Sequence, residues 1–329
     1  MTPSTVAFSS GLVNRQGFAA LPDELYLEII SKLPTPPIPK FAESPEETRG
    51  LRERYKTLLS LSQTCRSLRH VFLRYLCQRV EVYNEMQTSD GVLPSLYYYR
   101  PVSSPNNGHI LRVRPYAEEI LEQLERVTIR DESLAVHVNV LNLTIPDYSL
   151  RTLLPELARC IGLFHNLHTV QLNLYLAEKH DKYVERYFKE YTYPNIRTVS
   201  VDGSDLHRMG LAENDDLDVG LVEKCPRLRD ITVDYMSLRI SAKLDNSLKR
   251  LSLLPKLQTL RLAMHVQFEF LHLGRIWRQF GISSSSPNWS EIDRCEKWAM
   301  EVLHDVKSPE KVNKRVYVIS KLKTRCRLV

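Results

Sequence analysis

Glycine is scarce in this 329-residue chain, which holds only 11 glycines where a typical protein has about 7%. Enzymes that cradle phosphates use glycine-rich loops, so an enzyme of that kind is disfavoured. No apolar run approaches the ~18 residues of a membrane-spanning helix, which predicts a protein without such spans. The six cysteines form no CxxC pair and no secretory signal is visible, so we expect reduced thiols and a cytoplasmic or nuclear location.

Motifs of catalysis are also missing. The sequence contains no GxGxxG, P-loop, HExxH or GxSxG pattern, so we expect no enzyme activity and no cofactor. Cys160, His165 and His168 are close in sequence, but no further pair completes four metal ligands. We expect no metal site there, and an α/β enzyme is left as a third and least favoured function.

Positive charge is concentrated at the end of the chain. Lys plus Arg number 45 against 39 Asp plus Glu, for a net charge of +6. The segment from Lys307 onward holds eight basic residues and only Glu310 as an acid, so the remainder is close to neutral. We therefore expect no nucleic-acid or membrane partner. A solvated final segment, an anionic partner and an import signal remain open for the tail.

What the sequence does contain begins with a short helical pattern. Residues 21–34 read LPDELYLEIISKLP, in which Leu25, Ile29 and Leu33 recur every four residues and make one apolar stripe. Pro22 suits a helix start, and Pro34 ends the helix before a proline-rich stretch.

A second helix begins at a capping box formed by Ser44 and Glu47, with Pro45 at the first helical position. Its apolar pattern runs on to Leu76 and predicts one break near Ser60–Thr64. Arg66, Arg69 and Arg74 are predicted on the face opposite the apolar side chains.

These two segments together resemble an F-box. The resemblance rests on Leu21-Pro22-x-Glu24-Leu25-x-x-x-Ile29-x-x-x-Leu33-Pro34, followed by Leu58-Leu59-Ser60-Leu61-Ser62-x-x-Cys65-Arg66-x-Leu68-Arg69. About 23 residues separate the two halves, more than the family's usual gap. The resemblance implies docking on the Skp-family adaptor of a cullin–RING (SCF-type) ubiquitin ligase. The implied adaptor-binding residues are Leu21, Pro22, Leu25, Ile29, Leu33, Pro34, Leu58, Leu59 and Leu61; the alternative is that they form only a local core.

The rest of the chain carries a repeat. HNLHTVQL at 165–172 aligns with PNIRTVSV at 194–201, PRLRDITV at 226–233 and PKLQTLRL at 255–262, and a looser copy lies at 138–143. Each copy alternates apolar and polar residues as a short strand does, and helix-like stretches lie between copies. Such stacked units resemble leucine-rich repeats. The family's asparagine is absent, so the repeats are degenerate, and an ordinary parallel α/β domain is the alternative.

These patterns predict an α/β protein in which an N-terminal helical F-box module precedes a leucine-rich-repeat-like βα solenoid with parallel strands. The predicted divisions are a disordered tail at 1–18, the F-box-like module at 19–83 with a proline-rich insertion at 35–57, a linker at 84–116, and the repeat domain at 117–329. The last division is predicted to end in a helical cap near residues 292–306, with Val316–Val318 as a final strand.

Outward strand positions of the repeat domain are mostly polar, which predicts an open concave face that a protein substrate could contact. The candidate substrate-binding residues are Thr169, Gln171, Ser200, Asp202, Asp230, Thr232, Asp234 and Arg261. The three aspartates fall on adjacent strands, which would suit a basic substrate segment or form a solvated acidic face.

The resemblance implies a substrate-recognition subunit that binds the Skp-family adaptor and, through it, cullin and RING subunits. The protein substrate is unidentified. A repeat scaffold that binds proteins without promoting ubiquitin transfer is the alternative function.

Overall fold

In a computed structural model, the chain forms two compact units, Met1–Gln78 and Arg79–Val329. The structure describes residues 17–18, 21–33, 45–83, 86–88, 91–94, 96, 107–175, 186–202, 221, 224–235, 256–264, 297, 300, 304, 315–320 and 323–328. Of the predicted tail at 1–18, only Gly17 and Phe18 fall within this set. The cap of the second predicted helix at Ser44 and the proline-rich part of the insertion lie outside it.

The first unit is helical, as its apolar spacing predicts. Helix α1 spans Asp23–Lys32, α2 spans Pro45–Thr64 and α3 spans Arg66–Leu76. Pro22 is extended and directly precedes α1. Leu33 is extended after α1, because it precedes Pro34 and a residue before proline avoids helical geometry. The predicted break falls at Cys65, whose extended backbone separates α2 from α3.

A cluster of six buried side chains holds these helices together: Tyr26, Ile30, Leu58, Leu68, Phe72 and Leu76. The rings of Tyr26 and Phe72 meet edge to face at 5.5 Å, and Phe18 stacks on Phe72 at 6.4 Å. The Tyr26 hydroxyl donates to the Phe18 carbonyl at 2.7 Å, so burial of this polar tip is compensated.

The second unit is built on a sheet. Its strands are β1 (Arg79–Val82), β4 (Val140–Pro146), β5 (Thr169–Tyr175), β6 (Thr198–Asp202), β7 (Asp230–Tyr235), β8 (Thr259–Met264), β9 (Arg315–Ser320) and β10 (Lys323–Leu328). In the described part of the chain these eight strands lie in the order just given. Neighbours pair in parallel except for β9 and β10, which are antiparallel. Strands β2 (Gln87–Thr88) and β3 (Gly91–Val92) form a separate hairpin.

Strand register reproduces the repeat. Val140 pairs with Thr169, Thr169 with Thr198, Thr198 with Asp230, and Asp230 with Thr259, which gives offsets of 29, 29, 32 and 29 residues. These are the offsets between the sequence copies, so the predicted parallel stacking is confirmed. One row of aligned apolar residues is buried: Leu141, Val170, Val199 and Ile231.

The longest helices in the described part of the second unit are α4 (Asn107–Glu125) and α5 (Leu150–Leu163); a π-helical turn at Arg126–Arg130 and a 3-10 helix at Glu132–His137 follow α4. Helix α4 begins inside the predicted linker at 84–116 and continues through Pro115. The burial of Val113, Tyr116 and Ile120 outweighs the local cost of that proline.

The boundary between the units also differs from the predicted one, because β1 lies before residue 83 and joins the sheet. The free edge of β1 is closed by a side chain of α4. Gln123 accepts a hydrogen bond from the Glu81 N–H at 3.2 Å and donates to the Glu81 carbonyl at 3.0 Å. This carboxamide takes the place of a further strand and protects the edge.

Two other predicted elements are only partly described. The predicted strand at Val316–Val318 is confirmed within β9, but it is not the last strand, because part of the basic tail forms β10 beside it. Residues 297, 300 and 304 are helical, as predicted for the cap. The remainder of that predicted helix lies outside the described residues.

Candidate functional site

Helix α1 buries one apolar face and exposes apolar side chains on both sides of that face. Tyr26 and Ile30 are 3% and 7% exposed and enter the core, whereas Leu25 and Leu27 are 47% and 53% exposed. Ile29 is half-buried and lies one turn after Leu25, whereas Leu27, two residues from Leu25, faces a different side of the helix. Contact of these exposed leucines with water is unfavourable in free energy, and burial against a partner surface would remove that cost.

The predicted adaptor residues divide by burial. Pro22 is exposed, and Leu21 and Leu33 are half-buried at the two ends of α1. Leu59 and Leu61 are also half-buried and pack on the core cluster. Leu58 is 2% exposed and belongs to the core itself, so we leave it out of any docking surface. Pro34 lies outside the described residues.

Exposed charged groups lie on the same helix as the exposed leucines and on α3. Lys32 and Glu28 form an exposed salt bridge of 2.7 Å on α1. Arg66, Arg69 and Arg74 are exposed on α3, as the sequence pattern predicts. Exposed apolar groups bordered by charge are typical of a protein-binding surface with a polar rim.

The predicted substrate-binding residues lie on neighbouring strands of the second unit. Gln171 pairs with Ser200, Ser200 with Thr232, and Thr232 with Arg261. In a second row, Asp202 pairs with Asp234. Thr169 and Asp230 stand in a third row, separated by Thr198. The prediction that these residues share adjacent strands is therefore confirmed.

An open polar face was expected here, but the structure buries much of it. Thr169, Gln171, Ser200 and Thr232 are at most 5% exposed, while Asp230 is half-buried. Parallel strands lie about 4.8 Å apart, so side chains in register shield one another from water. For Asp202, Asp234 and Arg261 only the backbone is described.

Asn142 is a buried residue of this face that was not among the candidates from the sequence. It pairs in register with Gln171 and is fully buried, yet neither its Nδ2 nor its Oδ1 has a hydrogen-bond partner. The Oε1 atom of Gln171 is also unpaired. A buried unpaired amide costs about 1–3 kcal/mol. Alternation assigns Asn142 to this face but does not reveal its missing partners.

The cysteine and histidines that are close in sequence have separate surroundings. Cys160 lies 3.7 Å from the Thr128 hydroxyl and 3.4 Å from Glu156, and burial raises the pKa of its thiol to about 12. A thiol held protonated is a poor nucleophile and metal ligand. The Nδ1 atom of His168 contacts the Thr169 hydroxyl at 2.9 Å, and that of His165 contacts the Leu163 carbonyl at 2.7 Å. Within the described ranges, no three His, Cys, Asp or Glu side chains gather as a metal site would require.

The turns before the strands carry a second set of residues that sequence reasoning missed. Asn166 donates to the Val136 carbonyl at 2.7 Å, Asn195 donates to the His165 carbonyl at 2.5 Å, and Arg227 donates to the Asn195 side-chain oxygen at 3.2 Å. These bonds join each turn to the turn one repeat earlier. In the sequence these residues stand at the second position of the repeated triplets HNL, PNI and PRL. That position differs from the one that the asparagine of leucine-rich repeats occupies.

A comparison of the chain with protein families, curated proteins and solved structures finds no match. Fold and site geometry define a mixed α/β protein whose second unit contains a largely parallel sheet. Of the helices in the described segments, none has the length and apolar character needed to cross a membrane.

Proposed function

We propose that this chain is the substrate-recognition subunit of an SCF-type ubiquitin ligase. In this proposal the first unit is an F-box that binds the Skp-family adaptor, which links it to the cullin and RING subunits. The observation that carries the proposal is the exposure of Leu25 and Leu27 beside the buried Tyr26 and Ile30.

The size of the first unit supports docking of this kind. A small helical unit has few side chains with which to cover a second apolar face. An amphipathic helix with exposed leucines suits a hydrophobic groove on another protein. Leu25 and the half-buried Ile29, which lie one turn apart on α1, are the side chains that would enter such a groove.

The second unit would hold the protein substrate. Its strands repeat at nearly constant offsets, which favours a degenerate leucine-rich-repeat solenoid. The chain would then do no chemistry itself. It would keep a substrate lysine near a ubiquitin thioester carried by another subunit, in the cytoplasm or nucleus, and so raise the effective concentration of the reacting groups.

The docking proposal is tested by replacing Leu25→Ala together with Ile29→Ala in the full chain. We expect co-purification with the Skp-family adaptor to be lost, because the apolar contact is removed, while thermal unfolding stays near that of the parent. The matched control is Val92→Ala with Leu163→Ala, two exposed apolar residues of the second unit. Adaptor binding that survives the α1 double substitution would refute this site.

A ligase assay separates the proposal from a scaffold that binds the adaptor without promoting transfer. With the adaptor, cullin and RING subunits added, the parent chain should promote ubiquitin transfer to a captured partner protein, and the α1 variant should not. Capture of the partner without transfer by the parent complex would favour the scaffold.

A further inference from the structure

The amino-terminal edge of the sheet in the second unit carries a set of basic side chains. This edge consists of the turns that precede β6, β7 and β8, and its cations are Arg197, Arg227, Arg229 and Lys256, all of which are exposed. The leucines and isoleucine that alternate with them, Ile196, Leu228 and Leu257, are at most 1% exposed. Each turn thus fixes its backbone by burying one apolar side chain and presents its cations to solvent.

Backbone hydrogen bonds stack these turns at the spacing of the strands. The Arg197 N–H donates to the His168 carbonyl, the Arg229 N–H to the Arg197 carbonyl, and the Gln258 N–H to the Arg229 carbonyl, each at 2.8 Å. Successive turns are therefore about 4.8 Å apart. From the turn before β6 to the turn before β8 the edge spans about 10 Å, which an extended segment of about three residues would match.

The cations of this edge differ from other arginines of the same unit. Five of those form salt bridges with glutamates: Arg79–Glu81, Arg114–Glu118, Arg126–Glu122, Arg130–Glu125 and Arg159–Glu156. Among the described residues, no carboxylate forms a salt bridge with a cation of the edge. Arg227 is held instead by the neutral Asn195 side chain at 3.2 Å.

Among the described residues, the acids nearest to the edge form no salt bridge with its cations. Asp230 follows Arg229 directly, but it is half-buried and pairs in register with Thr198 and Thr259. Asp202 lies five residues beyond Arg197, or about 16 Å along the strand, which exceeds the screening length of about 8 Å at physiological salt. The positive charge of Arg197 also contributes, after burial, to lowering the pKa of His168.

We infer that this edge binds a carboxylate-rich segment of a protein partner, held by Arg197, Arg227, Arg229 and Lys256. Carboxylates along an extended segment would meet guanidinium groups on neighbouring turns, and the repulsion between the cations would be relieved. The inference adds to the proposed function the chemistry of the segment that is recognised. It rests on the proposed function in one respect, which is that the partner is a substrate of the ligase.

The test measures binding of a fluorescent glutamate-rich peptide of about ten residues to the full chain. The variant Arg197→Glu with Arg229→Glu should weaken binding by about tenfold or more, because attraction becomes repulsion. The matched control, Arg112→Glu with Arg186→Glu, makes the same change of charge at exposed residues of this unit outside the edge and should stay within about twofold. Raising salt from about 50 to 300 mM should weaken binding to the parent.

Three results would overturn the inference: no peptide binding by the parent chain, equal weakening in the control, or tighter binding of single-stranded RNA or anionic lipid vesicles through the same two arginines. If the glutamate variant does not fold, the neutral pair Arg197→Gln with Arg229→Gln replaces it and should still weaken binding. Adaptor co-purification uses none of these residues. Loss of peptide binding with intact adaptor binding therefore affects this inference alone, whereas loss of adaptor binding bears on the proposed function.

Discussion

The two units of this protein place their unpartnered groups in opposite ways. The first unit has an apolar core and leaves Leu25 and Leu27 exposed on one helix. The second unit buries amide and hydroxyl side chains on its sheet, and at one edge of that sheet it has exposed cations that form no salt bridge with a described carboxylate. Surface groups without partners within a unit are those available for binding, so the comparison indicates apolar docking by the first unit and electrostatic docking by the second.

The units also differ in how their stability is distributed. The first depends on one cluster around Phe72, in which every helix takes part. The second repeats similar rows of side chains from strand to strand, so its stability is closer to a sum over neighbouring repeats. A single core substitution should therefore lower the free energy of unfolding more in the first unit than in the second.

The largest expected effect on stability distinguishes the buried core of the first unit from its exposed leucines. Phe72→Ala removes a fully buried ring that contacts Tyr26 and Phe18, and should lower the free energy of unfolding of this unit by about 3–5 kcal/mol. Leu27→Ala, at a 53% exposed site, should change it by less than about 0.5 kcal/mol. Urea denaturation followed by circular dichroism measures both, and similar losses would mean that the buried core and the exposed leucines are not distinct.

The next effect concerns the edge of the second unit. Gln123→Leu leaves the N–H and carbonyl of Glu81 without their side-chain partner and should destabilise this unit by about 2 kcal/mol. Amide hydrogen exchange at Glu81 should become faster in the variant. Gln123→Glu is the informative control, because it can still accept from the N–H but cannot donate to the carbonyl. A loss at least as large is expected for it, because its carboxylate would lie against the Glu81 carbonyl and the Glu119 carboxylate, and equal stability of the parent and both variants would contradict the edge-closing role.

Asn142 allows a test in the stabilising direction. Asn142→Leu replaces a buried amide that has no hydrogen-bond partner with an apolar side chain of similar size, and should raise the free energy of unfolding by about 1 kcal/mol. Asn173→Leu is the matched control on the same face. That amide donates to the Thr144 hydroxyl at 3.5 Å, so its loss should not stabilise. Thermal unfolding compares the two variants, and destabilisation by Asn142→Leu would show that its amide is satisfied in solution.

Much of this architecture follows from local sequence rules. Prolines at 22 and 45 mark helix starts, and the fourfold spacing of apolar residues identifies α1. The repeating pattern around Leu167, Ile196 and Leu228 fixes both the strands and their register, because each copy has the same alternation. These signals lie within a few residues of the elements that they specify.

Features that depend on distant residues could not be predicted. Gln123 and Glu81 are 42 positions apart, and nothing local marks one as the partner of the other. Pro115 reads locally as the mark of a connector, but tertiary packing keeps α4 helical through it. Alternation assigned Thr169 and Gln171 to the polar face of the sheet, yet it does not report which neighbours shield them.

The smallest expected effect links stability to pH through the basic edge. Burial and, second, the charge of Arg197 lower the pKa of His168 in the folded chain below its usual 6.5. In the unfolded chain this histidine binds a proton at higher pH than in the folded chain. Its contribution to stability is therefore complete above about pH 6.5 and is lost as pH falls through the lower folded-state pKa.

Substitution of His168 or of the neighbouring Arg197 should alter the slope of the free energy of unfolding against pH. His168→Gln should remove this component of the loss of stability between about pH 7 and 5, the range in which an ordinary histidine titrates. Arg197→Gln should reduce the component without removing it, because burial, the larger cause of the lowered pKa, remains. Arg112→Gln removes a charge that does not act on His168 and should leave the slope unchanged. Urea midpoints measured across this pH range test the order of the three variants. A slope in His168→Gln equal to that of the parent would mean that the positive edge does not act on this histidine, and would weaken the electrostatic side of the comparison between the units.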